Sequence, residues 1–378
     1  MNILVVCHYG LYSNLSFSFV HNQIREFAKQ GHHVRVIIPN GWGKIGRDGK
    51  RIGKVLRVSQ ADGVELYDLR YLSLSKYGEK GFNTRRAIGV IRSHLKNILQ
   101  DFQPDVIHAH TLGFDSEIGA WLKRKLGCPL VVTTHGSDAA VPLQQGRAQQ
   151  LRAECDKADR IIAVSSALKD KVCTCGTTTQ VDAIVNGFVP RQIPNGLSRQ
   201  PLRMIQVCNL ISLKRVDVTI RAFAALQKQY ADMELVIVGQ GPERAALEAL
   251  CQALNVADRV RFLGQLPNET VFGELCQSTY FVMVSKPEGF GIVYLEAMAA
   301  GCIAVGTEGE GIADLIRHGE NGFLLPADDP DAIAQVIRQC ISDPEKAKTI
   351  AQRGQQDALG LTWQKNADQY LALFKTLL

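Results

Sequence analysis

The chain has 378 residues, 46% of them hydrophobic and 21% charged, which is ordinary globular composition with apolar material for two domain cores. Its net charge of +6 is unevenly placed: residues 1–190 hold 25 Lys/Arg against 16 Asp/Glu, and the remainder 18 against 21. No apolar run is long enough to cross a bilayer, and the nearest two of the ten cysteines, Cys173 and Cys175, have neither zinc-knuckle nor redox-pair spacing.

The opening Met1-Asn2-Ile3-Leu4-Val5-Val6-Cys7 lacks a basic leader and meets His8 too soon for a signal peptide, so it reads as a buried strand, Ile3–Cys7. Reduced thiols and a cytoplasmic location are the matching expectation. Ser18–Gln30 follows as a helix, with Val20, Ile24, Phe27 and Ala28 on one face and Gly31 at its end. Further strands are predicted at Val34–Ile38, Val106–Ala109, Leu130–Thr133 and Ile161–Val164. A second set falls at Met204–Cys208, Leu235–Val238, Val260–Leu263, Tyr280–Val284 and Cys302–Val305. Short apolar strands separated by helical patterns imply parallel sheets covered on both faces. The Pro- and Gly-rich stretch from Asn186 to Pro201 breaks the rhythm and marks a linker. The expected domains are residues 1–187 and 188–362, two doubly wound halves facing across a cleft. A last apolar helix, 363–378, with Trp363, Tyr370, Leu371 and Phe374, is expected to pack back on the first half.

The basic excess concentrates in Lys44, Arg47, Lys50, Arg51, Lys54 and Arg57. It is either a solvated face or an attraction for an anionic surface, lipid headgroups or a phosphorylated acceptor. No aromatic interleaving accompanies it, which argues against nucleic acid. Gly41-Trp42-Gly43-Lys44-Ile45-Gly46 matches G-x-G-x-x-G, but the glycines and basic residues that follow are loop chemistry, not a helix opening on a pyrophosphate. Asp329-Pro330-Asp331 reads as a helix N-cap followed by a first-turn proline, not a metal site.

The informative segment runs from Pro287 to Gly301, Pro-Glu-Gly-Phe-Gly-Ile-Val-Tyr-Leu-Glu-Ala-Met-Ala-Ala-Gly. Gly289 and Gly291 let backbone approach a ligand closely. A helix starting near Gly291 would aim its free N–H groups at a diphosphate. Glu288 and Glu296 offer two carboxylates as acceptors for sugar and ribose hydroxyls.

This segment resembles the signature of glycosyltransferase family 4, whose members have the GT-B fold of two Rossmann-like domains. The likeness continues through Gly31-His32-His33-Val34, Pro104-Asp105-Val106-Ile107-His108-Ala109-His110 and Thr134-His135-Gly136-Ser137-Asp138. It extends to Asn186-Gly187, Val238-Gly239-Gln240-Gly241-Pro242, Phe262-Leu263-Gly264 and Thr362-Trp363. The resemblance implies a retaining hexosyltransferase using a nucleotide-diphosphate sugar, UDP-hexose before GDP-mannose, with a glycan or lipid-linked acceptor. Cell-envelope or exopolysaccharide synthesis at the inner membrane face is the implied setting, and no cofactor or metal is expected. It implies catalytic roles for Glu288 beside the donor sugar, Lys214 at the diphosphate and His135 at the sugar. Donor contacts are implied for Asn209, Arg215, Gly239, Gly289, Phe290, Gly291, Ile292 and Glu296. Asn209 stands where the family usually has an Arg, five residues before its Lys. The family's glycine-rich loop after the first strand is matched only by Gly10-Leu11-Tyr12-Ser13-Asn14. His108 and His110 are expected to be structural, Asp138 to touch acceptor or sugar, and Glu308-Gly309-Glu310-Gly311-Ile312 to line the cleft with no assigned chemistry. The alternatives are a nucleotide-sugar epimerase, a phosphorylase, or a binding protein that keeps the fold with weak catalysis.

Overall fold

The computed structural model describes residues 1–8, 18–43, 55–73, 80–194 and 196–378. The loop Gly10–Asn14, the basic residues Lys44, Arg47, Lys50, Arg51 and Lys54, and Asn195 lie outside the described residues. The chain divides into two compact units, Met1–Asn186 with Trp363–Leu378, and Gly187–Thr362.

The first unit carries β1 (Asn2–Val6), β2 (His33–Gly43), β3 (Leu56–Ala61), β4 (Val64–Ser73), β5 (Val106–Ala109), β6 (Leu130–Thr134), β7 (Arg160–Ala163) and β8 (Val181–Ala183). They form one sheet in the order β3-β4-β2-β1-β5-β6-β7-β8, parallel except for the antiparallel edge pair β3 and β4. The central strands are buried on both faces, as Ile3, Val5, Ile107 and Val131 at 0% exposure show. β3 is different. It faces solvent along most of its length, so it lacks the apolar run that betrays a parallel strand. β8 is only three residues long. β2 runs on to Gly43 because β4 stays paired with it from Arg35↔Glu65 to Gly43↔Ser73. The expected loop over Gly41–Gly46 is therefore corrected at its start: Gly41–Gly43 end a strand, and Lys44–Gly46 lie outside the described residues.

The helix Trp363–Lys375 joins this unit through its apolar face. Ala367, Tyr370, Leu371 and Phe374 pack with Val20, Ile24 and Phe27 of the helix Ser18–Lys29 in one core. A buried amide pair fixes the docking, Gln23 Nε2 donating to Asn366 Oδ1 at 2.7 Å while Asn366 Nδ2 donates to the Val185 carbonyl at 2.7 Å.

The second unit carries β9 (Gln200–Val207), β10 (Glu234–Val238), β11 (Val260–Gly264), β12 (Ser278–Val282), β13 (Ile303–Thr307) and β14 (Phe323–Leu325). Its all-parallel sheet has the order β11-β10-β9-β12-β13-β14, the doubly wound order that reverses direction between β9 and β12. Ligand-binding loops gather at the carboxyl ends of the strands flanking such a switch point. In the first unit the corresponding place lies between β1 and β5. Asp329 caps the helix Pro330–Ser342, its Oδ1 accepting from Ala332 N at 2.9 Å with Pro330 in the first turn.

Candidate functional site

In the second unit, two loops leave the carboxyl ends of the switch-point strands. The first, Cys208–Arg215, follows β9. Leu210 anchors it in the core, its N–H donating to the Gln240 carbonyl at 2.9 Å and its carbonyl accepting from Glu243 N at 3.1 Å. Gly239 and Gly241 permit this approach: a Cβ at Gly239 would meet the Cys208 carbonyl oxygen at 1.8 Å, and one at Gly241 the Leu210 carbonyl oxygen at 2.2 Å. Gly239 thus packs on the loop that carries Lys214. Ser212–Lys214 form one 3₁₀ turn, closed by Arg215 in the left-handed region at φ +50°. Gln206 Nε2 donates to the Lys214 carbonyl at 2.8 Å and fixes its backbone.

The second loop, Ser285–Gly291, follows β12. Lys286 N donates to the Leu213 carbonyl at 2.9 Å, tying the two loops together. Thr307 Oγ1 donates to the Ser285 carbonyl at 2.9 Å, and the buried Tyr294 hydroxyl donates to the Met283 carbonyl. Gly291, at φ +77°, starts the helix Ile292–Ala299 and offers no side-chain cap to its first N–H groups. A side chain at Gly291 would be strained by that φ and would meet Tyr294 Cδ2 at 2.8 Å.

These loops bring together two residues 74 apart in sequence. Lys214 Nζ lies 2.5 Å from Glu288 Oε2, which also accepts from Ser285 Oγ at 2.7 Å. Their side chains are only 22% and 12% exposed, a setting where such a pair is screened less than on a free surface. Phe290 is buried beneath the loop. Glu296 projects from the second turn of the helix, and burial pushes its carboxyl up, against the opposing charge of Arg191 at 3.9 Å. The Cys208 thiol is pushed up to about 12 by burial, with Lys214 opposing, so it is no thiolate nucleophile at neutral pH.

Asn209 is exposed. Arg215 is engaged with Asp328 at 3.2 Å. Sequence reasoning passed over Ser285 and Arg191, and left Glu310 without a role. Glu310 Oε2 accepts from Glu288 N at 2.8 Å.

In the first unit, His135 follows β6. Asp138 builds its turn: Oδ1 accepts from Thr134 Oγ1 at 2.9 Å, His135 N at 3.1 Å and Gly136 N at 3.0 Å, and Oδ2 accepts from Leu112 N at 2.9 Å. Asp138 Oδ1 is thus engaged by its own loop and Oδ2 by the neighbouring segment after β5. His135 Nε2 lies 3.3 Å from His110 Nδ1, and the two rings stack at 5.6 Å. His108 Nε2 pairs with Thr133 Oγ1 at 2.8 Å, which meets the Tyr370 hydroxyl at 3.1 Å. Burial lowers His135 to about 4, against the pull of Asp138, and His108 to about 3. His110 is lowered well below its ordinary value for the same reason. All three are neutral at physiological pH.

At the first unit's own switch point, His8 follows β1. Its Nδ1 lies 3.0 Å from both oxygens of Asp115, a fully buried carboxylate that also accepts from Thr111 Oγ1 at 2.9 Å. Burial lowers the His8 pKa, but the charge and hydrogen bond of Asp115 outweigh it and hold the group above its ordinary value. The signal in the sequence was a histidine directly after the first buried strand; nothing local identified its partner 107 residues on.

Comparison with known proteins follows this division. The family described as Glycosyl transferases group 1 matches residues 192–357, and the one described as Glycosyltransferase Family 4 matches residues 18–192. The chain belongs to glycosyltransferase family 4. It is 28% identical to N-acetyl-alpha-D-glucosaminyl L-malate synthase of Bacillus anthracis, over 70% of this chain and 73% of that protein. Its fold is similar to that of the sucrose-phosphate synthase of Thermosynechococcus elongatus, with TM-score 0.80 and 20% identity over 100% of this chain and 99% of the other. It is similar also to Anabaena HepE in complex with UDP and glucose, with TM-score 0.74 and 19% identity over the whole of both chains. This family 4 member is therefore a glycosyltransferase with the GT-B fold. Among the described residues no helix is long and apolar enough to cross a membrane.

Proposed function

We propose that this glycosyltransferase moves a hexose from a UDP-hexose donor to a glycan or lipid-linked acceptor, with retention of anomeric configuration. The observation that carries the reading is the pairing of Lys214 with Glu288 at the β9/β12 switch point, on the loop that opens the helix Ile292–Ala299. The leaving diphosphate needs positive charge fixed in advance, and Lys214 together with the helix N–H groups of Ile292 and its neighbours supplies it. The backbone of Gly289, Phe290 and Gly291 approaches the phosphates. Glu288 accepts hydrogen bonds from the sugar hydroxyls and Glu296 from the ribose. On binding, the diphosphate takes over Lys214 Nζ and the sugar takes over Glu288, so the ion pair is exchanged for substrate contacts. The departing phosphate accepts the acceptor's proton, and the reading calls for no resident metal or enzymic nucleophile. His135, neutral and held by Asp138, is the first unit's sugar-contacting group. HepE, bound to UDP and glucose, supports the choice of UDP.

Thermal stabilisation across UDP, GDP, ADP and CMP tests the donor base, since a bound nucleotide alone raises the midpoint. A shift with UDP is expected, and a shift only with GDP would replace it. Proton NMR of the fresh product tests retention; an inverted anomer would overturn it. We also propose peripheral attachment to an anionic membrane. On one face of the edge formed by β3 and β4, the exposed Leu72 shares its side with Arg57 and Arg70, and on the helix Lys80–Ile98 the exposed Phe82 carries Arg86 over its ring at 4.4 Å. Sedimentation with phosphatidylglycerol vesicles but not phosphatidylcholine vesicles is expected; equal, negligible binding would contradict it.

A further inference from the structure

We propose that Glu310 is a positioning residue that fixes the peptide of Glu288, an inference that rests on the donor-site reading above. Glu310 follows β13 and is 3% exposed. Its Oε2 accepts from Glu288 N at 2.8 Å, while the next residue, Gly311, donates its N–H to the Glu288 carbonyl at 3.3 Å. Both backbone groups of Glu288 are thus held by two consecutive residues of one loop. The fit is close on either side. A Cβ at Gly311 would stand 1.9 Å from the Gly289 carbonyl oxygen, and Thr307, at the end of β13, donates to the Ser285 carbonyl.

The physical need is clear from the loop itself. Ser285–Gly291 is irregular backbone between a strand and a helix, so no ladder of regular hydrogen bonds orients the Glu288 peptide. The side chain of Glu288 is aimed by Lys214 and Ser285, but its Cα is placed by the clasp from Glu310 and Gly311. A charge-assisted bond from a buried carboxylate is among the stronger ways to hold an N–H group. A carboxylate facing the loop of a diphosphate site adds repulsion, and a geometric role explains its presence there. Reacting groups tolerate little displacement, so loosening this peptide lowers turnover although Glu310 touches no substrate.

The test compares Glu310→Ala and Glu310→Gln in the full chain, each titrated with UDP and GDP and assayed with the sugar donor. Glu310→Ala is expected to lower kcat about tenfold or more, the effect of one buried charge-assisted bond. UDP affinity should change less than about threefold, because Lys214 and the helix start hold the diphosphate. Glu310→Gln keeps an acceptor oxygen without its charge and is expected to recover part of the rate, with a kcat clearly between Glu310→Ala and the unaltered protein. Equal losses in both variants would show that the charge matters rather than the bond, and would overturn the proposal. So would a Glu310→Ala loss of rate that merely tracks a loss of UDP-binding sites, the mark of unfolding, or no loss at all. Absence of UDP and GDP binding to the unaltered protein would instead sink the donor-site reading on which the inference stands.

Discussion

A cluster at the carboxyl ends of the strands in each unit can be set against the other, and the two have opposite electrostatic surroundings. At the β9/β12 switch point a cation and a carboxylate meet 2.5 Å apart, and both stay partly open to solvent. In the first unit, burial strips His108, His110 and His135 of charge, and Asp138 spends its oxygens on backbone and hydroxyl donors. One region holds a charged pair close to solvent. The other is built to hold neutral hydrogen-bonding rings in place. The same sheet geometry therefore supplies position, and local burial decides whether a group works as a charge or as a neutral donor.

The largest expected effect breaks the charged region alone. Lys214→Ala should reduce kcat on the order of a hundredfold, as removal of an electrostatic stabiliser of the leaving group does, with the fold retained by circular dichroism. Unchanged turnover would remove Lys214 from the mechanism.

Next comes a substitution confined to the other unit. Phe374→Ala opens the shared core beneath the C-terminal helix, where Phe374 is fully buried against Phe27 and Tyr370. It should cost about 3–5 kcal/mol in denaturant unfolding. A loss below about 1 kcal/mol would mean the helix contributes little to the first unit.

Acid acts with opposite sign on the buried histidine cluster and on Glu296. His108 and His135 have folded values of about 3 and about 4, below the ordinary 6.5, so the folded state disfavours their protonation. The stability tied to their neutral forms is complete above pH 6.5 and is lost as pH falls from there through 4 toward 3. Glu296 in the second unit runs the other way: its raised value favours the protonated, folded form as pH falls toward its ordinary 4.5. Hydrogen exchange at pH 7 and pH 4.5 should show protection falling around His108–His110 and Thr133–His135 before it falls around Ile292–Ala299. Uniform loss across both regions would contradict this.

The smallest effect concerns Arg215. Its guanidinium is paired with the exposed Asp328, so Arg215→Ala should change kcat/KM by no more than about threefold, in keeping with an exposed pair. A hundredfold fall would mean that Arg215 leaves Asp328 to serve the diphosphate after all.

How much of this was legible depends on how far apart the partners lie. The segment Glu288 to Gly301 could be read directly, because the turn glycines, the helix start and both carboxylates are local. The buried parallel strands were legible for the same reason, each being one short apolar run. Lys214 was placed through family likeness, since nothing between residues 214 and 288 announces that β9 and β12 are neighbours. Glu310 and Arg191 stayed hidden because their meaning is a contact between distant segments: an ordinary glutamate becomes a clasp only when β13 lies beside β12. His8 and Asp115 were hidden likewise by the adjacency of β1 and β5. The edge strands were missed for an energetic reason, β3 being mostly exposed and β8 too short to bury much.

The most direct measurement of the central claim is hydrogen exchange with and without saturating UDP. Donor binding at the switch point of the second unit should slow exchange in Cys208–Arg215 and Ser285–Glu296, most strongly at the amides of Ile292 and Val293. Protection confined to other strands' loops, or a bound UDP that leaves these two segments unchanged, would contradict it.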